Sequence, residues 1–410
     1  MTAAALFCLV NPSGIYTLPP EKLAKAVELY QLHTAIHFGG TAWSILLLWL
    51  LLRRRVGAHV RSWAARHTAS PWLQGFLVVP AWLLLLSAIA LPVDLFAQHV
   101  ERHFGLSVQS WPSWFGDWGK SLLLTLAIGT LVVSVLYWLM RRSPRHWWVW
   151  LWLLSIPFEI AAIFVIPVFI DPMFNHFSPL AKADPALVQQ LEKVVARGHL
   201  DIPPSRMFLM DASTKSTGLN AYVTGIGATK RIVVWDTTVK AAPTDGIVFI
   251  YGHEQGHYVL NHIWKGILFT ALLTLLFYWL TYRLMQGLIR SRGHEWHILA
   301  TDDWASLGLL LLLFTVLGFL AEPIGNSFSR VQEHHADIYG QEVIHGLVAN
   351  PQQTAANDFQ LLGEVWLETP YPNPFVQFWT GSHPSTAERK LFAAHYDPWR
   401  PGQHPRYFTK

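Results

Sequence analysis

Long apolar runs separated by short charged segments set the plan of this chain. Six runs, at about 33–52, 73–93, 121–140, 147–170, 264–281 and 305–321, come close to the roughly 20 residues that cross a hydrocarbon core as a helix. Four of them precede a polar region at 171–263, and two separate it from a second, 322–410. The pattern predicts five parts: an N-terminal segment 1–32, a four-span membrane region 33–170, the polar region 171–263, two further spans within 264–321, and a C-terminal part 322–410. Because two spans intervene, the two polar regions lie on one side of the membrane, so a single site can draw residues from both.

Inside 171–263 the pattern shortens. Asp184 followed by Pro185 signals the start of a helix running to about Arg197 and stopped by Gly198. Arg206–Met210 and Arg231–Trp235 read as short strands, with Tyr222–Thr224 a third between them. A helical stretch follows at Tyr251–His262. Pro19 and Pro20 lead into another at Glu21–Leu32, and 322–410 reads as helical apart from a proline-rich loop near Pro370–Pro374. The expected fold is therefore mainly α: a polytopic membrane protein of about six transmembrane helices carrying a small α/β domain.

Composition agrees with that plan. Apolar residues make up 52% of the 410 and charged ones 14%, with a mean hydropathy of +0.28, so the lipid bilayer is an expected partner. Trp111, Trp114, Trp118, Trp147, Trp148 and Trp264 sit at the ends of apolar runs, where an amphipathic ring suits the headgroup level. The formal charge of +4 comes with no basic run interleaved with aromatics, which excludes nucleic-acid binding. One cysteine, Cys8, excludes an intrachain disulfide and a cysteine-based zinc site, and the bulky Phe7 before it argues against lipidation. Met1–Val10 is too short to span; it reads as a remnant of a signal or anchor. Glu159, in the fourth run, is expected to face a polar interior or to pair with another helix.

The candidate chemistry lies in His253-Glu254-Gln255-Gly256-His257. Histidines four apart on a helix differ by about 40° around its axis, so both imidazoles leave one face and can bind one Zn²⁺. Glu254 is held beside the metal, placed to take a proton from attacking water and return it to a leaving amine. With 20 His in the chain, chance placement gives about 0.03 such motifs, so coincidence is a poor explanation. Two histidines leave a catalytic zinc one protein ligand short. Glu333, in Ser329–Asp337, is the best candidate, with His334 and His335 as competitors that point about 100° and 200° away on the same helix. Asp337, one turn after Glu333, could orient a ligand imidazole, and Arg330 could pair with it or help tune the site.

HEQGH, SRVQEHHAD and Gly381-Ser382-His383-Pro384, together with Asp171–Leu180, Ser216–Tyr222 and Lys230–Thr237, resemble the Ste24 family of integral-membrane zinc metalloproteases, the type I CAAX prenyl proteases of the M48 group. The resemblance covers most of the chain. It implies a gluzincin-like domain with one Zn²⁺ held by His253, His257 and Glu333, and Glu254 as general base. It also implies His383 as the donor to the oxyanion, and an edge strand around Asn220, Ala221 and Tyr222 along which an extended peptide adds. The implied partner is a peptide or protein substrate, prenylated or membrane-embedded.

Sidedness reads two ways. Arg53, Arg54, Arg55, Arg61, Arg66, Arg141, Arg142, Arg145, Arg283, Arg290 and Arg292 follow odd-numbered spans, and by the positive-inside rule their side is cytoplasmic, with the zinc domain opposite. The resemblance implies a cytoplasmic zinc domain. Three functions stay open: CAAX-type processing, general membrane-protein turnover by the same chemistry, and a transport or binding protein with structural zinc. Glu254 argues against the last, since a structural site has no use for it.

Overall fold

A computed structural model describes residues 16–225 and 227–408; the expectations for Met1–Val10 and Cys8 lie outside the described residues. All six apolar runs are helical, and the helices extend beyond them, the fourth only at its C-terminal end. α1 (Pro20–Arg53) merges the expected stretch at Glu21–Leu32 with the first span, and the short α2 (Val56–His67) follows it. α3 (Pro71–His103), α4 (Trp111–Arg142) and α5 (Trp147–Val165) are the next three spans. A π turn over Ile166–Ile170, holding Pro167, extends α5 into α6 (Asp171–Phe174). The spans need lipid around them: Leu123, Phe169, Leu268 and Leu272 are 61–67% exposed, a cost in water that a hydrocarbon surround removes. Glu159 is partly buried on α5.

The polar region begins with β1 (Phe177–Pro179), a strand the sequence pattern did not signal, and α7 (Leu180–Ala183). α8 (Pro185–Arg197) starts as expected: the Asp184 side chain accepts from the Leu187 N–H at 2.8 Å. β2 (Met207–Met210), β3 (Ala221–Thr224) and β4 (Arg231–Trp235) match the three expected strands to within a residue. They form one mixed sheet in the order β1-β2-β4-β3, with β2 and β4 parallel and β3 an antiparallel edge. After α9 (Asp236–Ala241) comes α10 (Thr244–Val259), which carries HEQGH.

α11 (His262–Trp296) and α12 (Leu307–Val343) are the last two spans. At 1.5 Å per residue the 37 residues of α12 run about 55 Å against a hydrocarbon core of about 30 Å. Its first half is leucine-rich; the half after Glu322 continues as the wall of the polar domain. There it packs along α10 at glycine contacts. A Cβ on Gly340 would lie 3.0 Å from the His253 backbone N, and one on Gly252 2.7 Å from the Val343 side chain. Leu187, Leu191, Ile232, Val234, Phe249, Tyr251, Tyr339 and Val343 fill the core between α8, the sheet, α10 and α12.

α13 (Pro351–Val365), α14 (Pro374–Thr380) and α15 (Thr386–His395) close the domain. Helix was expected to 410, but from Tyr396 to Phe408 the chain forms turns. There the Glu342 carboxylate accepts from the backbone N–H groups of Arg406, Tyr407 and Phe408 at 2.6, 2.7 and 3.2 Å, bonds that compete with helix formation.

Candidate metal centre and active-site cleft

α10 delivers His253 and His257 from one face, as their spacing requires, and the glycine contact brings α12 close enough for Glu333 and Asp337 to face them. His253 Nε2 lies 3.2 Å from His257 Nε2 and 3.1 Å from Glu333 Oε2, and His257 Nε2 lies 3.5 Å from Glu333 Oε1. Donors about 2.05 Å from a tetrahedral Zn²⁺ stand about 3.3 Å apart, so these three fit. A second observation agrees. Glu333 is buried, and its Oε2 lies between His253 Nε2 at 3.1 Å and His383 Nε2 at 3.2 Å without a well-aligned hydrogen bond to either. The donor atoms of His253, Glu254 and His257 also lie within 4.8 Å of one another. Glu254 stands farther back than Glu333, at 4.0 Å from His253 Nε2, where it accepts a hydrogen bond from the Val223 N–H of β3.

The charges around the cluster could accommodate a cation. Burial works against charging His253, but Asp337 and Glu333 outweigh it and raise its pKa far above the ordinary imidazole value. Burial and the neighbouring His253 push His257 down to about 3, so it is neutral and ligand-ready. Burial pushes the Glu254 carboxyl up to about 7; a divalent cation beside it acts in the opposite sense.

The supporting groups differ from the expected set. His253 Nδ1 lies 2.9 Å from Asp337 Oδ1, which leaves Nε2 free to face a metal. Asp337 is bidentate with Arg389, at 2.9 and 2.6 Å. That corrects the pairing of Asp337 with Arg330. The Arg330 guanidinium instead donates to the Gln377 and Phe378 carbonyls, each at 3.3 Å, and to those of Gly381 and the Ser327 hydroxyl, so it secures the loop that carries His383. His383 Nε2 lies 3.2 Å from Glu333 Oε2, and its side chain is about half exposed. His334 and His335 turn elsewhere: the first packs its ring on Phe392, the second faces His262.

Arg389 was not found from sequence, although Ser385 and Glu388 form a capping box that fixes the start of α15 and so aims Arg389 at Asp337. Val223, His253, Glu254, His257, Tyr258, Glu333 and His383 line an open cleft of about 420 Å³. Asn220 sits just before β3 with its backbone engaged: its N–H donates to Thr238 Oγ1 and its carbonyl accepts from Trp235 N–H. By strand alternation the backbone groups of Val223 then point away from β4, and Val223 lines the cleft.

Comparison with known proteins agrees. Residues 15–176 match the family model described as the CAAX prenyl protease N-terminal region of five membrane helices, and residues 181–394 match that of peptidase family M48. An uncharacterized metalloprotease of Bacillus subtilis, YhfN, is 35% identical over 376 residues, covering 91% of this chain and 85% of that protein. CAAX prenyl protease 1 of Saccharomyces cerevisiae is 30% identical over 340 residues, covering 79% of this chain and 72% of that one. The crystal structure of S. mikatae Ste24p superposes with a TM-score of 0.79 over 92% of this chain and 90% of that chain, at 24% identity, which shows a shared fold. With the M48 model matched along more than half its length, this chain belongs to peptidase family M48 as an integral-membrane metalloprotease.

Proposed function

We propose that the protein is a zinc endopeptidase acting on extended peptide segments at the membrane surface, with one Zn²⁺ held by His253, His257 and Glu333. The observation that carries this reading is the convergence of those three donors at 3.1–3.5 Å with the Glu254 carboxylate beside them. When bound, Zn²⁺ supplies a Lewis acid that polarises the scissile carbonyl and makes water acidic enough to attack near neutral pH. Glu254 takes a proton from the attacking water and delivers it to the amine nitrogen as the C–N bond breaks. His383, on the loop that Arg330 secures, donates to the oxygen on which negative charge develops. Asp337 holds His253 through Nδ1, and Arg389 neutralises Asp337. The substrate adds along β3 as a further antiparallel strand, its backbone pairing with Ala221 and the Val223 carbonyl while Tyr222 and Asn220 shape the approach.

The named relative in Saccharomyces cerevisiae, a CAAX prenyl protease, supports a prenylated C-terminal peptide as substrate. The test is cleavage, by the purified protein in detergent, of a farnesylated CAAX peptide and its unprenylated twin, each with and without a zinc chelator. Chelator-sensitive cutting of the prenylated peptide alone is the expected result. Equal cutting of both would replace CAAX processing with general membrane-protein turnover, and no cutting by zinc-loaded protein would overturn the peptidase reading.

Sidedness is part of the same proposal. The arginine-rich loops meet at the end away from the metal site, where Arg55 Nε donates to the Glu295 carbonyl at 2.9 Å and Arg61 pairs with Asp303 at 2.6 Å. The positive-inside rule makes that end cytoplasmic and leaves the cleft on the other face, against the cytoplasmic zinc domain that the family resemblance implies. A cysteine introduced at Arg145 in a Cys8→Ser background should then resist a membrane-impermeant thiol reagent in intact cells, and rapid labelling would reverse the assignment.

A further inference from the structure

His262 is five residues after His257. On a continuous helix it would be turned about 140° from His257 and displaced about 7.5 Å along the axis, out of reach. The helix does not continue. α10 ends at Val259, Asn261 adopts the left-handed conformation with φ 58°, and α11 starts at His262. Asn tolerates that conformation better than other side chains that have a Cβ. The reversal returns the His262 ring to His257, with Nδ1 to Nδ1 at 3.1 Å and ring centroids 5.0 Å apart. His262 is only 6% exposed, and its Nε2 is buried without a partner among the described residues.

Two imidazole nitrogens at 3.1 Å need one proton between them. His257 Nε2 faces His253 and Glu333, so for that nitrogen to serve as a ligand the ring's proton must sit on Nδ1. We infer that His262 is a positioning residue for the metal site: its Nδ1 accepts the His257 Nδ1–H, fixing the tautomer and ring plane in which Nε2 faces the metal. The inference rests on the zinc reading above. The two ligand histidines then have unlike supports, a carboxylate behind His253 and a neutral imidazole behind His257. The imidazole partner orients His257 without adding a further carboxylate to a site that already holds Glu254, Glu333 and Asp337.

The test compares full-length parent, His262→Asn and His262→Leu. Asparagine puts a carbonyl oxygen close to where Nδ1 stands, and leucine fills similar space with no acceptor. Zinc affinity is measured by competition with a chromophoric chelator, and ligand geometry by the visible absorption of the Co²⁺-substituted protein. Leucine should weaken zinc binding by about 10–100-fold and alter the Co²⁺ bands, while asparagine should stay within about threefold of the parent with its spectrum retained. If the leucine variant does not fold, His262→Gln, whose amide oxygen lies one bond too far out, replaces it with the same expected loss. Parental affinity in the leucine or glutamine variant overturns the inference. So does an equal fall in all variants, which would make His262 a packing residue. A parent that binds no zinc would instead sink the underlying metal reading.

Discussion

Replacing Glu254 with glutamine should leave the zinc in place and lower kcat by about 10²–10⁴-fold, the range that general acid–base catalysis contributes. The side chain keeps its length and its place beside β3, and the amide oxygen can still accept from the Val223 N–H. The ability to take a proton is what disappears. Nothing in the ligand set changes, because the convergent donors are His253, His257 and Glu333 and Glu254 stands 4.0 Å back. Two readouts are therefore paired: metal per chain by mass spectrometry, expected to stay at about one, as a catalytic zinc site predicts, and turnover of a quenched fluorescent peptide. Parental turnover with metal retained would remove Glu254 from the chemistry. Loss of both together would mean that Glu254 belongs to the ligand set, and the role of Glu333 would need revision.

Much of this architecture was legible before any coordinates, and the reason is physical. Six apolar runs of about 20 residues leave little choice in lipid, where backbone groups must be satisfied within the helix, and all six are helices. β4 matched its expected residues because Arg231–Trp235 is a compact β-branched run between turn signals. The convergence on α10 followed from a four-residue spacing. What escaped depended on tertiary contacts. β1 is three residues long and exists because β2 offers it a partner. Arg389 lies 52 residues from Asp337, and sequence spacing says nothing about such a pair. His262 was hidden by the helical reading itself, since the rule that aligned His253 with His257 turned His262 away; only the left-handed Asn261 undoes that.

Glu333→Ala should empty the site. Removing it leaves two imidazoles and water, and a two-histidine site holds zinc poorly against even a weak chelator. Zinc content is expected to fall from about one per chain toward zero after dialysis against sub-micromolar free zinc, with activity following it down by about 10³-fold or more. The charge balance changes in the same direction: Glu333 is the carboxylate closest to Nε2 of His253, and without it the carboxylates left beside that ring are Glu254, 4.0 Å away, and Asp337, which is tied to Arg389. The structure also names the residue that could replace it. His383 Nε2 lies 3.2 Å from Glu333 Oε2, whereas His334 and His335 face Phe392 and His262. If zinc survives in Glu333→Ala, the double variant Glu333→Ala/His383→Ala decides the matter. Loss of metal only in the double variant would make His383 a ligand rather than an oxyanion donor, and retention in both would place the third ligand outside the donors that converge here.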